Sequence, residues 1–436
     1  MKNSLTGLLF VTSSLLFASC TKDAQVVVPA ATANPSELLS YKTTIVPIID
    51  GAIDAQWGNA TVTNLSAVVP DPGANNLFAG YIGENYAGTV RSMYDPTNIY
   101  FLIEVKDASN NSNPTPWYFN PTTKLWAKEG NTKTFDASGV LTRDGFGADQ
   151  LALLFNVDNS TPKFGTQTCY ASCHIFSTYV DYSTGVGILK GYGSGANHYT
   201  NGINEKIDMW WAHPTKGFLF GQMDDNYQDY AGGTAVTGLV GNQGNGRKLD
   251  GQVITGKNTA FPGTPIYTPA SIPTTVSNSL TVNITGTTTS TSVPLYVSIG
   301  ANATAGYIKV ADTASGVAKR VVAVDANGVL TLADGSTLDP NTGTDYQRVG
   351  AGLGSKVIPA NVLMPLTAGR SDITMSAVHT GSSWVFEIKR ALKTSDALKQ
   401  DVDFSSLADQ PFGLAYFNRS NYQHGIQTGL LLKFQK

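Results

Sequence analysis

Histidine and cysteine are scarce here: the 436 residues hold 5 histidines and 3 cysteines. A structural zinc site wants four Cys or His ligands in paired clusters, so the scarcity counts against one. Charge is sparse too, at 14% charged residues and a net charge of −3. That leaves no basic field for nucleic acid and no basic amphipathic stretch for a membrane surface. Beyond the N-terminus no apolar run is long enough to span a bilayer. Few segments carry a helical period of useful length. There is no nucleophile elbow, zinc-protease helix or phosphate loop, so nothing points to a catalytic set.

What is present suits an extracytoplasmic β protein. Apolar residues make up 42%, with 44 glycines and abundant Thr and Asn, a turn-rich composition. The length allows one large or two ordinary domains, since single cores stop growing near ~250–300 residues. The opening MKNSLTGLLFVTSSLLFASC places Lys2 before an apolar stretch, then small residues, then Cys20. This reads as a signal peptide over residues 1–19 with lipidation at Cys20, followed by a tether over 20–43. The expected location is the outer membrane, facing the periplasm or the cell surface, with the lipid as the sole membrane contact. If Cys20 carries lipid, Cys169 and Cys173 are the remaining thiols, and in an oxidising compartment they must be bonded to something.

From Thr44 a strand-like run reaches IDGAIDAQWGNA (49–60), where Asp-Gly supplies turn chemistry and Trp57 a large apolar anchor; VRSMYDPTNIYFLIEVKD (90–107) and GADQLALLFNVD (147–158) read as strands between turns, as do SDITMSAVHT, SSWVFEIKRAL and PFGLAYFN near the end. LKTSDAL reads as a short helix or turn. The fold class is all-β: an antiparallel β-sandwich with a few short helices. Its main domain covers 44–231 and 359–436. Between them, residues 232–358 are rich in Gly, Thr and Ser, yet VPLYVSIG, GYIKVAD, AKRVVAVD and GVLTLADG alternate around turns. This insertion is expected to be a small β unit.

Residues 169–174 read CYASCH. Two thiols followed directly by an imidazole can bond a haem covalently and reach its iron, although three residues separate the cysteines where the usual motif has two. The other readings are a Cys169–Cys173 disulfide with His174 on the surface, a zinc site, or a redox disulfide without its usual spacing and context. Downstream, IDMWWAHPTKGFLFGQMDD places Met209, Trp211 and His213 on one face of a strand and Trp210 on the other. His213 then either binds iron or caps the strand end. Asp224, Asp225 and Asp229 could bind calcium but read more simply as a solvated turn.

The stations IDGAIDAQW, YDPTNIYFLIEVKD, GADQLALLFNV, CYASCH, DMWWAH with Asp224-Asp225, WVFEIKRALKTSD and FGLAYFN come in the order of a known group. The chain resembles the haem-binding domain shared by the ethylbenzene dehydrogenase gamma subunit and related cytochrome c-552/DMSO-reductase-type proteins. The resemblance covers 44–231 and 369–436 and leaves out the insertion. It implies a β-sandwich holding one haem c through Cys169 and Cys173, with His174 as axial ligand. His213 stands where the group often has an iron-binding lysine, which implies bis-histidine ligation; Met209 and Met93 are the other candidates for the sixth position. Two axial imidazoles favour electron transfer over substrate chemistry. The implied partners are redox proteins, other cytochromes or a molybdenum oxidoreductase, and the implied role is a non-enzymatic electron carrier.

A second resemblance gives another reading. IDGAIDAQWGNA also resembles the opening of family 9 carbohydrate-binding modules. That would make the chain a haem-free module with a Cys169–Cys173 disulfide, presenting Trp210 and Trp211 to sugars.

Overall fold

The computed structural model describes residues 36–71, 78, 80–172, 178–181, 186–189, 198, 200, 204–229, 247–257, 265–268, 274–303, 307–349, 352–353 and 356–436. The expected signal peptide, Cys20, Cys173 and His174 lie outside the described residues.

Twelve strands build the main sheet. Numbered along the chain they are β1 (Ser36–Lys42), β2 (Thr63–Val68), β3 (Asn85–Tyr94), β4 (Asn98–Lys106), β5 (Ala148–Asn156), β6 (Lys206–Ala212), β7 (Gln222–Asp229), β8 (Arg247–Leu249), β9 (Ile373–His379), β10 (Ser383–Ala391), β11 (Gln410–Ser420) and β12 (Gly425–Phe434). Their order is β1-β3-β2-β12-β11-β5-β6-β7-β9-β10-β4, with β8 added beside β7. Because β4 also pairs with β3 from Gly88↔Val105 to Tyr94↔Ile99, the sheet closes on itself like a barrel. The all-β antiparallel fold with few short helices is as expected; closure joins what a sandwich would keep as two sheets, and leaves the ring without free edges.

The interior is an aromatic core, with Phe101, Phe155, Trp210, Phe404 and Phe412 in mutual contact. Each strand supplies alternate residues to it. On β5 these are Leu151, Leu153 and Phe155; on β6, Trp210 and Ala212; on β11, Phe412, Leu414 and Tyr416.

Local chemistry explains the turns. Between β3 and β4 the Asp95 carboxylate accepts the backbone N–H groups of Thr97 and Asn98, each at 2.7 Å, and the Tyr100 hydroxyl at 2.6 Å. Such an Asx turn is what Asp-Pro-Thr-Asn favours. At the start, Trp57 is fully buried and donates its Nε1–H to Glu387 Oε1 at 3.1 Å, while Glu387 Oε2 accepts from the Gly51 N–H at 2.8 Å. The IDGAIDAQW stretch is therefore pinned to β10.

Three expectations need correction. Residues 36–42, assigned to the tether, form β1, which runs parallel to both β3 and β12 and bridges them; Leu38 fills the core and Ser92 Oγ donates to Ser40 Oγ at 2.9 Å. The boundary of the insertion also moves, because Arg247–Leu249 pairs with β7 in the main sheet. Finally, GYIKVAD is strand only at Ile308–Lys309 and then turns into the helix Val310–Ser315. Asp312 Oδ2 accepts the Lys309 N–H at 2.7 Å, and Gly316 ends the helix at φ 78°.

The insertion has its own core. Val293, Val297, Val321, Val324, Leu330 and Leu332 pack with Trp117, Phe119 and Trp126, which come from the hairpin Trp117–Asn120 and Leu125–Lys128.

Candidate functional site

On the outer face of β5, β6 and β11 the side chains left over from the core form a second apolar patch. It contains Ala152, Leu154, Ile207, Met209 and Ala415, covered by Phe164, Cys169 and Ala171, with Trp211 and Phe417 at its margin. Strand register arranges its floor in rows. Gly413 pairs with Leu154, and Leu154 with Met209; Ala415 pairs with Ala152, and Ala152 with Trp211. Gly413 and Met209 are thus two strand spacings apart, about 10 Å. Three of the six floor positions are glycine or alanine, which keeps the floor low along β11 and at Ala152 of β5.

Cys169 reaches this floor from above. It lies in α2 (Cys169–Ser172), directly after α1 (Phe164–Gln167), and is buried. The absence of a side chain at Gly413 makes room for it: a Cβ there would stand 3.0 Å from Thr168 Cβ and 3.3 Å from Cys169 Sγ. Thr168, between the two helices, has φ 38° and ψ −107°, an unfavourable conformation for a β-branched residue. The hydroxyls of Thr168 and Ser172 are buried with no hydrogen-bond partner among the described residues.

Met209, Trp211 and His213 share this outer face, as the DMWWAH alternation implies, and Trp210 points the other way into the core. Met209 is buried, and its Sδ accepts from Gln228 Nε2 at 3.4 Å. Trp211 donates its Nε1–H to Gln150 Oε1 at 2.9 Å. Its ring is flanked by two cations, Arg247 at 3.6 Å and Lys216 at 4.2 Å from the ring centroid. Beside them Arg370 makes a two-pronged pair with Asp224 at 2.7 and 2.8 Å. Burial, with Arg247 nearby, brings the Lys216 ammonium down to about 7.

His213 lies edge-on to Trp211, with ring centroids 4.9 Å apart. Its Nδ1 accepts the Thr215 backbone N–H at 3.1 Å, so the neutral ring carries its proton on Nε2. Burial and the charges of Lys216 and Arg247 hold its pKa well below the usual histidine value. This bond caps the turn that follows β6; iron binding through Nε2 would require the ring to change tautomer.

The remaining candidates divide. Met93 belongs to a different cluster, with Trp57, Tyr100 and Leu102. Asp224, Asp225 and Asp229 are not a solvated turn: all three are on β7, with Asp224 and Asp225 fully buried. Asp224 faces outward to Arg370 and Asp225 inward to Arg390, so strand alternation separates Asp224 from Asp225, and four residues of strand, about 13 Å, separate Asp225 from Asp229. Fully buried Trp210 cannot meet a sugar ring.

Sequence reasoning missed Arg247, Lys216 and His424. His424 stacks on Phe417 at 4.5 Å and donates its Nδ1–H to the Tyr422 carbonyl at 2.6 Å, which leaves Nε2 unprotonated, as metal-binding histidines are held. A cation five residues past a tryptophan, or a histidine in a hairpin loop, carries no signal of its own.

A family model described as ethylbenzene dehydrogenase matches residues 56–429. No curated protein matches significantly. Among solved structures the chain is similar to a family 9 carbohydrate-binding module from Caldicellulosiruptor kristjanssonii in complex with glucose, at 8% identity over 92% of this chain and 95% of that one. The TM-score is 0.26, too low to bear on fold or ligand.

Proposed function

Because this chain belongs to the ethylbenzene dehydrogenase family, and so has an oxidoreductase-related setting, we propose that it is an extracytoplasmic electron carrier with one c-type haem. Cys169 and Cys173 would attach the haem and His174 would be its axial ligand. The observation that carries this reading is the position of Cys169: buried against Gly413, in an apolar patch that also holds Met209 and Trp211. A flat macrocycle needs a low floor with thiol, imidazole and a second iron ligand around it. The Gly413, Ala415 and Ala152 floor supplies the first, and CYASCH with Met209 and His213 supplies the donors. Arg247 and Lys216 add positive charge at the Trp211 margin, where it would balance carboxylates on the macrocycle.

The haem would supply reversible one-electron chemistry. The chain itself excludes water from the patch, holds His213 neutral and keeps Met209 in place. Lipid on Cys20 would anchor the protein to the outer membrane, and the partners would be other cytochromes or a molybdenum oxidoreductase.

The test is expression in a host with cytochrome c maturation, followed by haem staining of a denaturing gel. A stained band at the size of the chain is expected; its absence with the protein present would sink the reading. The sixth ligand follows from spectra of His213→Ala and Met209→Leu, since replacing the true ligand converts a low-spin spectrum to a high-spin one.

A further inference from the structure

The strongest unassigned feature lies inside the barrel, on the opposite side of β6 from the apolar patch. Asp208 of β6, Asp225 of β7 and Asp401 of the segment after β10 each turn a carboxylate oxygen to one point, and these oxygens all lie within 4.8 Å of one another. Oxygens that ligate calcium stand about 2.3–2.6 Å from the ion, so any two are at most about 5 Å apart. The three carboxylates satisfy that limit.

Acidic residues close together do not by themselves make a site. The telling residue is Asp225, which is fully buried and, among the described residues, receives no hydrogen bond at either carboxylate oxygen. Asp208 Oδ1 and Asp401 Oδ1 are also buried and without a donor among the described residues. Buried carboxylate oxygens in native proteins ordinarily have a donor or a metal, because leaving one bare costs several kcal/mol.

Charge does not balance within the cluster. Among the described residues its one paired cation is Arg390, with Nη2 at 2.9 Å from Asp401 and 3.4 Å from Asp208, and Nε at 3.6 Å from Asp225. A fourth carboxylate, Asp250, hydrogen-bonds Asp401. Because that bond needs a proton on one of its two partners, the four groups carry at most three negative charges, and Arg390 balances one of them, which leaves an excess of up to two in a low-dielectric interior where each uncompensated charge is expensive. The remaining donations are the Val402 N–H to Asp208 Oδ2 at 2.9 Å and the Thr394 hydroxyl to Asp401 Oδ2. They occupy oxygens other than the orphaned ones.

We propose that Asp208, Asp225 and Asp401 form a binding site for a hard divalent cation of the calcium class. All-oxygen donors without His or Cys disfavour zinc and copper, and a carboxylate-rich cage suits calcium better than magnesium, which keeps most of its waters. The ion would tie the segment after β10 to the β6–β7 pair, which strand pairing already joins through Asp208↔Tyr227 and Trp210↔Asp225. This site is independent of the haem reading.

The test uses the full chain, stripped with chelator and titrated with calcium alone by calorimetry, with thermal unfolding followed in parallel. Terbium provides a second readout, because Trp210 lies directly across from Asp225 in the β6–β7 register and can sensitise its emission. Expected are one ion per chain, a rise in Tm with calcium, and terbium emission that calcium abolishes. Asp225→Asn should weaken binding at least tenfold, whereas Asp334→Asn, an exposed carboxylate in the insertion, should leave it unchanged. If the stripped wild-type chain shows neither calcium heat nor terbium emission, or if Asp225→Asn binds as tightly as wild type, the proposal is wrong.

Discussion

Arg247 lies over Trp211, its guanidinium carbon 3.6 Å from the ring centroid. The contact connects β8, a strand of three residues, to the outer face of β6, and it places a cation at the margin of the apolar patch. A guanidinium stacked on a partly desolvated indole contributes about 0.5–2 kcal/mol. Arg247→Ala should therefore lower the unfolding free energy from urea denaturation by about 0.5–2 kcal/mol and change the tryptophan emission. An emission spectrum identical to wild type would show that the ring is not covered by this side chain.

Gly413 controls the seat of Cys169. A methyl group at 413 would meet Thr168 Cβ at 3.0 Å and Cys169 Sγ at 3.3 Å, and the backbone of a strand cannot retreat from them. Gly413→Val should displace α2, destabilise the fold by about 1–3 kcal/mol as overpacking does, and cut covalent haem incorporation. The usual strand preference for Val over Gly predicts the opposite sign, so urea denaturation of this variant separates the two effects.

Asp149 predicts how stability changes with pH. Its carboxylate is buried on β5 and accepts from the Asn111 N–H at 2.6 Å, Trp384 Nε1 at 3.0 Å and the Arg419 N–H at 2.8 Å. Burial, aided by the nearby Asp107, nevertheless pushes its pKa up to about 7. With the folded pKa above the unfolded one, the native state binds more protons between the two values. This group's contribution therefore falls as pH rises from about 4 to about 7. Urea midpoints across that range should decline for wild type and flatten for Asp149→Asn; an equal slope in both would assign the effect to other groups.

Glu387 makes the N-terminal segment part of the fold. Trp57→Phe keeps the ring in its cluster but removes the Nε1–H donor to a buried carboxylate. Loss of a hydrogen bond to a charged group costs about 1.5–3 kcal/mol, and the thermal midpoint should fall accordingly. Glu387→Gln should cost less, since an amide oxygen in the place of Oε2 still accepts the Asp50 and Gly51 N–H groups.

The strands were legible where alternation met turn chemistry. The β3–β4 hairpin follows from Asp-Pro-Thr-Asn between two apolar runs, and the facing of Met209 and Trp211 against Trp210 follows from the two-residue period of DMWWAH. β1 was not legible, because SELLSYK is short and polar and is held by parallel pairing to strands that arrive some 50 and nearly 400 residues later. The buried carboxylates were misread for a related reason. Charged residues ordinarily mark surface, and nothing local shows that Arg390 will lie between Asp208, Asp225 and Asp401.

The central claim is covalent haem at CYASCH, and a pyridine haemochrome spectrum of acid-acetone-extracted protein tests it most directly. The account predicts one haem c per chain that stays with the polypeptide after extraction, and its loss in the Cys169→Ser, Cys173→Ser double variant. A wild-type chain that matures in the same host as other c-type cytochromes yet carries no extraction-resistant haem would contradict it.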